Sequence, residues 1–154
     1  MRVAPGSFPT QAVVDASVLI KVFLPEDGSD VATALLQPNP GDTIVRVVPD
    51  LAFAECGNIF WKLARRGTLS ADVARQTLTD LCALPLEVWP TESLVESALA
   101  TALARDVTVY DATYAALAEL LDVPLITADL VLVRKLGGPS GRVRPLDSFG
   151  VTSP

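Results

Sequence analysis

Short apolar runs alternate along the chain with longer segments whose apolar residues recur at helical spacing. The runs that predict buried strands are QAVVD at 11–15, TIVRVV at 43–48, LEVW at 86–89, LIT at 125–127 and VRPL at 143–146. Strands that alternate with helices are typical of a parallel sheet covered on both faces. With right-handed crossovers, the pattern predicts an α/β fold, a three-layer α/β/α sandwich with a central parallel sheet of about five strands.

Capping patterns mark the starts of two helices in the second half of the chain. Thr108 and Asp111 have the spacing of a capping box in front of YAALAELL. Asp129 directly follows the strand run LIT and can cap the apolar segment LVLVRKL. Two aspartates therefore stand where helices begin.

The domain organisation follows from the absence of repeats and of long linkers. We expect one domain over residues 1–154, with residues 1–10 as an N-terminal extension and 148–154 as a C-terminal tail. No apolar run reaches the roughly 18 residues that a membrane helix needs, and the first residues lack the apolar centre of a secretory signal. We therefore expect a soluble cytoplasmic protein that does not contact membranes.

The chain contains no histidine among its 154 residues. This excludes a Ser-His-Asp triad, a histidine general base and histidine-ligated zinc. Cys56 and Cys82 lack the CxxC spacing of a metal site and are expected to be reduced thiols. Catalysis, if present, must use carboxylates, hydroxyls, Lys, Tyr, Cys or a metal bound through oxygen.

Four acidic residues occupy positions where a parallel α/β fold gathers its functional site. Asp15 ends the first predicted strand, Asp129 follows the fourth, and Asp111 lies at a helix start. Glu55 emerges among apolar neighbours on its predicted helix, where an unpaired carboxylate is costly to bury. Each aspartate taken singly can be an ordinary turn or capping residue, and Glu55 can reach water at the edge of its apolar stripe. Taken together, the four predict one acidic site.

Converging carboxylates repel one another unless positive charge is supplied, and the cations that prefer oxygen ligands are Mg²⁺ and Mn²⁺. Such an ion polarises a phosphate and lowers the pKa of a water molecule, so metal-dependent phosphodiester hydrolysis is the reaction that the acids favour. The hydroxyls of Ser17 and Thr127 can support the water at this site, or serve as local caps.

A net charge of −6 gives no general attraction for nucleic acid. One local basic cluster, formed by Lys62, Arg65 and Arg66 at the end of the predicted helix 50–66, is a candidate for RNA contact. A solvated helix end whose cations face the helix dipole explains the same cluster equally well.

Three segments together resemble the PIN-domain family, in particular its VapC-type toxins: VVDASVLIKVFLPE, AECGNIFWKLARRGTLS and TVYDATYAALAELLDVPLITAD. The resemblance covers residues 12–147. It implies catalytic and metal-binding roles for Asp15, Glu55, Asp111 and Asp129. It also implies that Ser17, Asn58 and Thr127 are supporting polar residues.

The resemblance further implies an endoribonuclease that depends on Mg²⁺ or Mn²⁺ and acts as the toxin of a type II toxin-antitoxin pair. The expected partners are an RNA substrate, a small VapB-type antitoxin protein and a second copy of the chain in a homodimer. The chain departs from the family pattern at Leu130 and Val131, where relatives often carry polar or basic residues.

Two alternatives remain open from the sequence. A non-catalytic module of the same fold could use its acidic groove to bind a basic peptide. A nuclease with the same four acids could act on single-stranded DNA, because discrimination through the 2′-hydroxyl is not visible in the sequence.

Overall fold

Five parallel strands form the central sheet of the protein in a computed structural model, which describes residues 8–37 and 40–149. The strands are β1 Gln11–Val14, β2 Val45–Pro49, β3 Leu86–Trp89, β4 Leu125–Thr127 and β5 Val143–Pro145. Their order in the sheet is β3-β2-β1-β4-β5, with every pairing parallel. The predicted sheet is confirmed. The first three strands are added in one direction from β1, and β4 and β5 are added on its other side.

Helices cover this sheet as predicted for an α/β/α sandwich. They are α1 Ala16–Leu19, α2 Ser29–Leu36, α3 Leu51–Arg65, α4 Ala71–Cys82, α5 Val95–Arg105, α6 Val109–Leu121 and α7 Leu130–Leu136. Short 3₁₀ turns occupy Ile20–Val22, Thr91–Ser93 and Leu146–Phe149.

Helix α6 has the largest number of buried residues of the helices in the described chain and carries one of the predicted site acids. It contacts β1, β2 and α5, and its buried residues include Ala112, Thr113, Ala116, Leu117 and Ala118. Alanines let the helix lie close to the strands, because they add little volume between the two backbones. The close packing fixes the start of α6, and therefore Asp111, relative to the end of β1.

The ends of the described chain meet beside the sheet. The Phe8 and Phe149 rings lie 5.4 Å apart between centroids, and Phe149 is buried. Arg46 of β2 donates from Nη1 to the Pro9 carbonyl at 2.8 Å and from Nε to the Leu35 carbonyl at 2.9 Å. Residues 1–7 of the predicted extension and 150–154 of the predicted tail lie outside the described residues.

None of the helices in the described ranges combines the length and the apolarity that crossing a bilayer requires.

Packing of α6 can be tested with a matched pair of leucine truncations. Leu117 has no exposed surface, so Leu117→Ala should lower the free energy of unfolding by about 2–5 kcal/mol through lost burial and a residual cavity. Leu130 of α7 is 52% exposed, and Leu130→Ala should change it by about 0.5 kcal/mol or less. Urea denaturation of the two variants measures the difference, and equal effects would contradict this packing.

Candidate active site

Asp15 directly follows β1 and is held by hydroxyls from two different elements. Its Oδ2 accepts hydrogen bonds from Ser17 Oγ at 2.8 Å and from Thr127 Oγ1 at 2.6 Å. Its backbone N–H donates to the Ile126 carbonyl of β4 at 3.0 Å. The side chain is only 5% exposed. Neighbouring strands and α1 thus fix the orientation of a buried carboxylate.

Burial raises the pKa of Asp15 above its ordinary value, because the charged form loses solvation. The hydrogen bonds from Thr127 and Ser17 act in the opposite direction, and the negative charge of Asp111 raises the pKa further. The site therefore disfavours the ionised form of Asp15 unless a cation is bound nearby.

Asp129 is joined to Asp15 through Thr127. Its backbone N–H donates to Thr127 Oγ1 at 3.0 Å, while its own Oδ1 accepts from the N–H groups of Val131 and Leu132 at 2.8 and 3.2 Å. The capping role predicted for Asp129 is confirmed. The cap orients the carboxylate at the start of α7, next to the end of β4.

Asp111 stands in the first turn of α6. Thr108 Oγ1 donates to Asp111 Oδ2 at 2.9 Å, and the Asp111 N–H donates back to Thr108 Oγ1 at 3.1 Å. Thr108 is therefore the predicted cap. In a standard capping box the acidic side chain accepts from the backbone N–H of the cap residue, whereas here Asp111 accepts from the Thr108 hydroxyl. Asp111 and Asp129 line one cleft of about 320 Å³.

Glu55 projects from α3 toward these acids and is half-buried. Tyr114 of α6, which has no exposed surface, donates its hydroxyl to Glu55 Oε1 at 2.7 Å. Burial raises the pKa of Glu55 to about 7, the tyrosine bond opposes that rise, and the charges of Asp15 and Asp111 add to it. A pKa of about 7 means that Glu55 changes its protonation state near neutral pH.

Sequence reasoning missed Tyr114. Its signal was its position three residues after Asp111, which on a helix places both side chains on neighbouring parts of one face. A buried tyrosine hydroxyl usually finds a hydrogen-bond partner, and an unpaired glutamate on another helix is a natural one.

The remaining candidates lie along α3 beyond Glu55. Asn58 is exposed one helical turn after Glu55. Lys62 and Arg66 follow at seven and eleven residues, spacings that keep them near the same helix face. Arg65 turns aside, with its guanidinium 5.7 Å from the centroid of the Trp61 ring. Within the basic cluster, Lys62 and Arg66 therefore lie on the same side of α3 as Glu55.

The donor groups of this site suit a hard divalent cation, because carboxylates and hydroxyls all offer oxygen. Across residues 8–37 and 40–149, no three Asp, Glu or Cys side chains already form a metal cage. Mg²⁺ usually takes one or two carboxylates and completes its coordination with waters and phosphate oxygens, so a preformed cage is not required. Within the same ranges, none of the four acids forms a salt bridge.

Comparison with known proteins gives a consistent set of relatives. A family model described as PIN domain matches residues 12–136. Ribonuclease VapC3 of Pyrobaculum aerophilum is 40% identical over 126 residues, which cover 80% of this chain and 92% of that protein.

Solved structures show the same fold at lower sequence identity. PAE2754 from Pyrobaculum aerophilum superposes with a TM-score of 0.67 at 23% identity, covering 93% of this chain and 94% of that one. A toxin-antitoxin complex from Klebsiella pneumoniae contains a chain that superposes with a TM-score of 0.60 at 16% identity, covering 88% and 97%.

The raised pKa of Glu55 predicts a pH-dependent stability in the metal-free protein. The stabilising contribution of the protonated group is fully present below the unfolded value of 4.5 and is lost as pH rises through about 7. In EDTA, the free energy of unfolding should therefore fall more steeply from pH 5 to 8 in the wild type than in Glu55→Gln. Glu119→Gln, which alters an exposed glutamate on α6, should follow the wild type. A constant difference between wild type and Glu55→Gln across this range would contradict the assignment.

Proposed function

Since the chain belongs to the PIN-domain family, in its VapC-type branch, we propose that it is a Mg²⁺- or Mn²⁺-dependent endoribonuclease and the toxin of a type II toxin-antitoxin pair. The observation that carries the proposal is the group of acids beside the ends of β1 and β4: Asp15, Glu55 and Asp111 are coupled electrostatically. Asp129 is joined to Asp15 through Thr127, and in the described chain none of the four has a basic partner. The name of the 40% identical relative, a ribonuclease, supports RNA as the substrate.

Asp15, Asp111 and Asp129 are the residues that would hold the metal. Their carboxylates already carry hydrogen bonds from hydroxyl or backbone groups of their own surroundings, which limit their rotation. A bound Mg²⁺ or Mn²⁺ supplies positive charge to the scissile phosphate and lowers the pKa of a nearby water. Ser17 and Thr127 keep the Asp15 carboxylate directed to one place.

Glu55 acts as the proton acceptor or as the group that positions the attacking water. A base works best when its pKa lies near the operating pH, and burial brings Glu55 to about 7. Tyr114 holds one carboxylate oxygen, so the other can face the water. Attack then proceeds in line with the leaving oxygen of the phosphodiester.

Lys62 and Arg66 extend the site along α3 and give the RNA backbone two cationic contacts on the side where Glu55 projects. Asn58, exposed between them and Glu55, can add a hydrogen bond. Arg65 is a weaker candidate because it stacks on Trp61.

A small VapB-type antitoxin is the proposed protein partner. The toxin-antitoxin complex of Klebsiella pneumoniae shares this fold, which supports such a pairing. Uncompensated acids in a cleft attract a basic peptide segment, so the same charges that suit a metal would also receive an inhibitor.

A homodimer is supported by an apolar stripe on α5. Val95, Leu99 and Leu103 recur every four residues and are 40%, 50% and 79% exposed. Apolar side chains this exposed along one helix face are typical of surfaces that associate, and a second copy presents the same stripe in a two-fold arrangement.

Cleavage tests the proposed activity. Cellular RNA and a mixed-sequence single-stranded DNA are incubated in parallel with the protein and Mn²⁺. RNA should be cut, and Asp111→Asn or Asp15→Asn should lower the cleavage rate by about 100-fold or more. Mutation of residues that only hydrogen-bond to metal ligands already lowers activity by about 10–100-fold. Asp72→Asn, an equal charge change on exposed α4, should leave the rate unchanged.

Unimpaired cleavage by Asp111→Asn and Asp15→Asn would refute the site, and cleavage of the DNA alone would indicate a DNA nuclease. A thermal shift with Mn²⁺ that Asp129→Asn removes supports the metal. No cleavage together with no Mn²⁺ shift would favour the non-catalytic binding module.

The dimer is tested by placing a charge in the α5 stripe. Leu103→Glu should convert a dimer to a monomer in light scattering, because two carboxylates would be buried opposite each other. Val73→Glu places the same charge on another exposed apolar residue, 49% exposed on α4, and should leave the dimer intact. A wild-type monomer, or dissociation by Val73→Glu alone, would contradict this interface.

A further inference from the structure

The cleft that Asp111 and Asp129 line is also lined by a lysine. Lys135, near the end of α7, lines it together with Asp106, Val107 and Val131. Among the described residues that line this cleft, Lys135 is the single cation. None of the basic residues singled out from the sequence lies there.

We propose that Lys135 is a phosphate-binding residue that positions the RNA strand in this cleft, beside the phosphate that is cut. The inference rests on the proposed function, because it assigns a contact for the same substrate. It adds a second cationic contact region, on α7, to the one proposed on α3.

The placement of Lys135 suits the neighbouring part of a nucleic-acid backbone. Asp129 caps α7 and Lys135 is six residues further, which is roughly 9 Å along the helix axis. A strand carries one phosphate per nucleotide, so a strand whose scissile phosphate lies at Asp129 brings the next phosphates toward Lys135. Val131 and Leu132 of α7 line the cleft between these two residues, and Lys135 is the residue of this lining whose charge attracts a phosphate.

Lys135 is held by an exposed partner, Asp106, whose place a phosphate can take. Its Nζ donates to the Asp106 carbonyl and lies 3.1 Å from Asp106 Oδ2. The Asp106 side chain is fully exposed and that of Lys135 is 39% exposed, so their ion pair is solvated and weak. A polyanion that enters the cleft can therefore take the lysine from Asp106 without breaking a buried contact.

A purely structural role makes a different prediction. Asp106 ends α5 with a left-handed φ of 54°, and its pair with Lys135 connects that turn to α7. If the lysine served only to connect the two elements, loss of either partner would have the same effect. If the lysine binds phosphate, loss of Lys135 and loss of the Asp106 charge should act in opposite directions.

The test uses the full chain with Glu55→Gln to suppress cleavage, in Mn²⁺, and a fluorescent mixed-sequence 20-nucleotide RNA. Fluorescence anisotropy gives Kd over a series of salt concentrations. Lys135→Gln should raise Kd by about ten-fold and reduce the slope of log Kd against log salt by about 0.7–1. Lys135→Arg should restore binding. Asp106→Asn, which keeps a residue suited to a left-handed φ, should bind as well as the parent or more tightly.

Arg134→Gln is the matched control, since it removes the same charge from the adjacent exposed position on α7. If Lys135→Gln and Arg134→Gln change Kd equally, or if Asp106→Asn weakens binding as much as Lys135→Gln, the phosphate contact is refuted while the proposed function stands. If the parent does not bind the RNA at all, the proposed function fails and this contact fails with it.

Discussion

The desolvated carboxylate of Asp15 is the constraint around which the site is built. A buried carboxylate is tolerated only where hydrogen bonds or a cation replace the lost water. Here two hydroxyls replace part of it, one from α1 and one from β4, which requires β4 to lie directly beside β1. The hydrogen bond from Thr127 to Asp15 therefore depends on the strand order of the sheet, because Thr127 belongs to the strand that pairs with β1.

Helix α6 transmits this arrangement to the other side of the cleft. The helix packs on β1 and β2, its first turn presents Asp111, and one turn later Tyr114 reaches Glu55 on α3. A single packed helix thus sets the positions of two acids. This explains why Glu55, on a helix remote in sequence, responds electrostatically to Asp15 and Asp111.

The fold and two helix caps could be predicted from the sequence because each depends on local patterns. Apolar runs predict strands, and the caps Thr108 and Asp129 depend on neighbours within three residues. Tyr114 and Lys135 were not predicted, since their partners Glu55 and Asp106 lie on other elements and meet them only after packing. Periodicity placed both residues on helices and could not indicate what each would face.

The bond between Thr127 and Asp15 spans 112 positions of the chain. At synthesis rates of roughly 5–20 residues per second, a ribosome that has made Asp15 needs about 6–22 seconds more to make its partner. Until then Asp15 lacks the hydrogen bond from Thr127, and β1 lacks β4 as its neighbour in the sheet. The order of synthesis therefore delays assembly of the acidic centre until most of the polypeptide is available to fold around it.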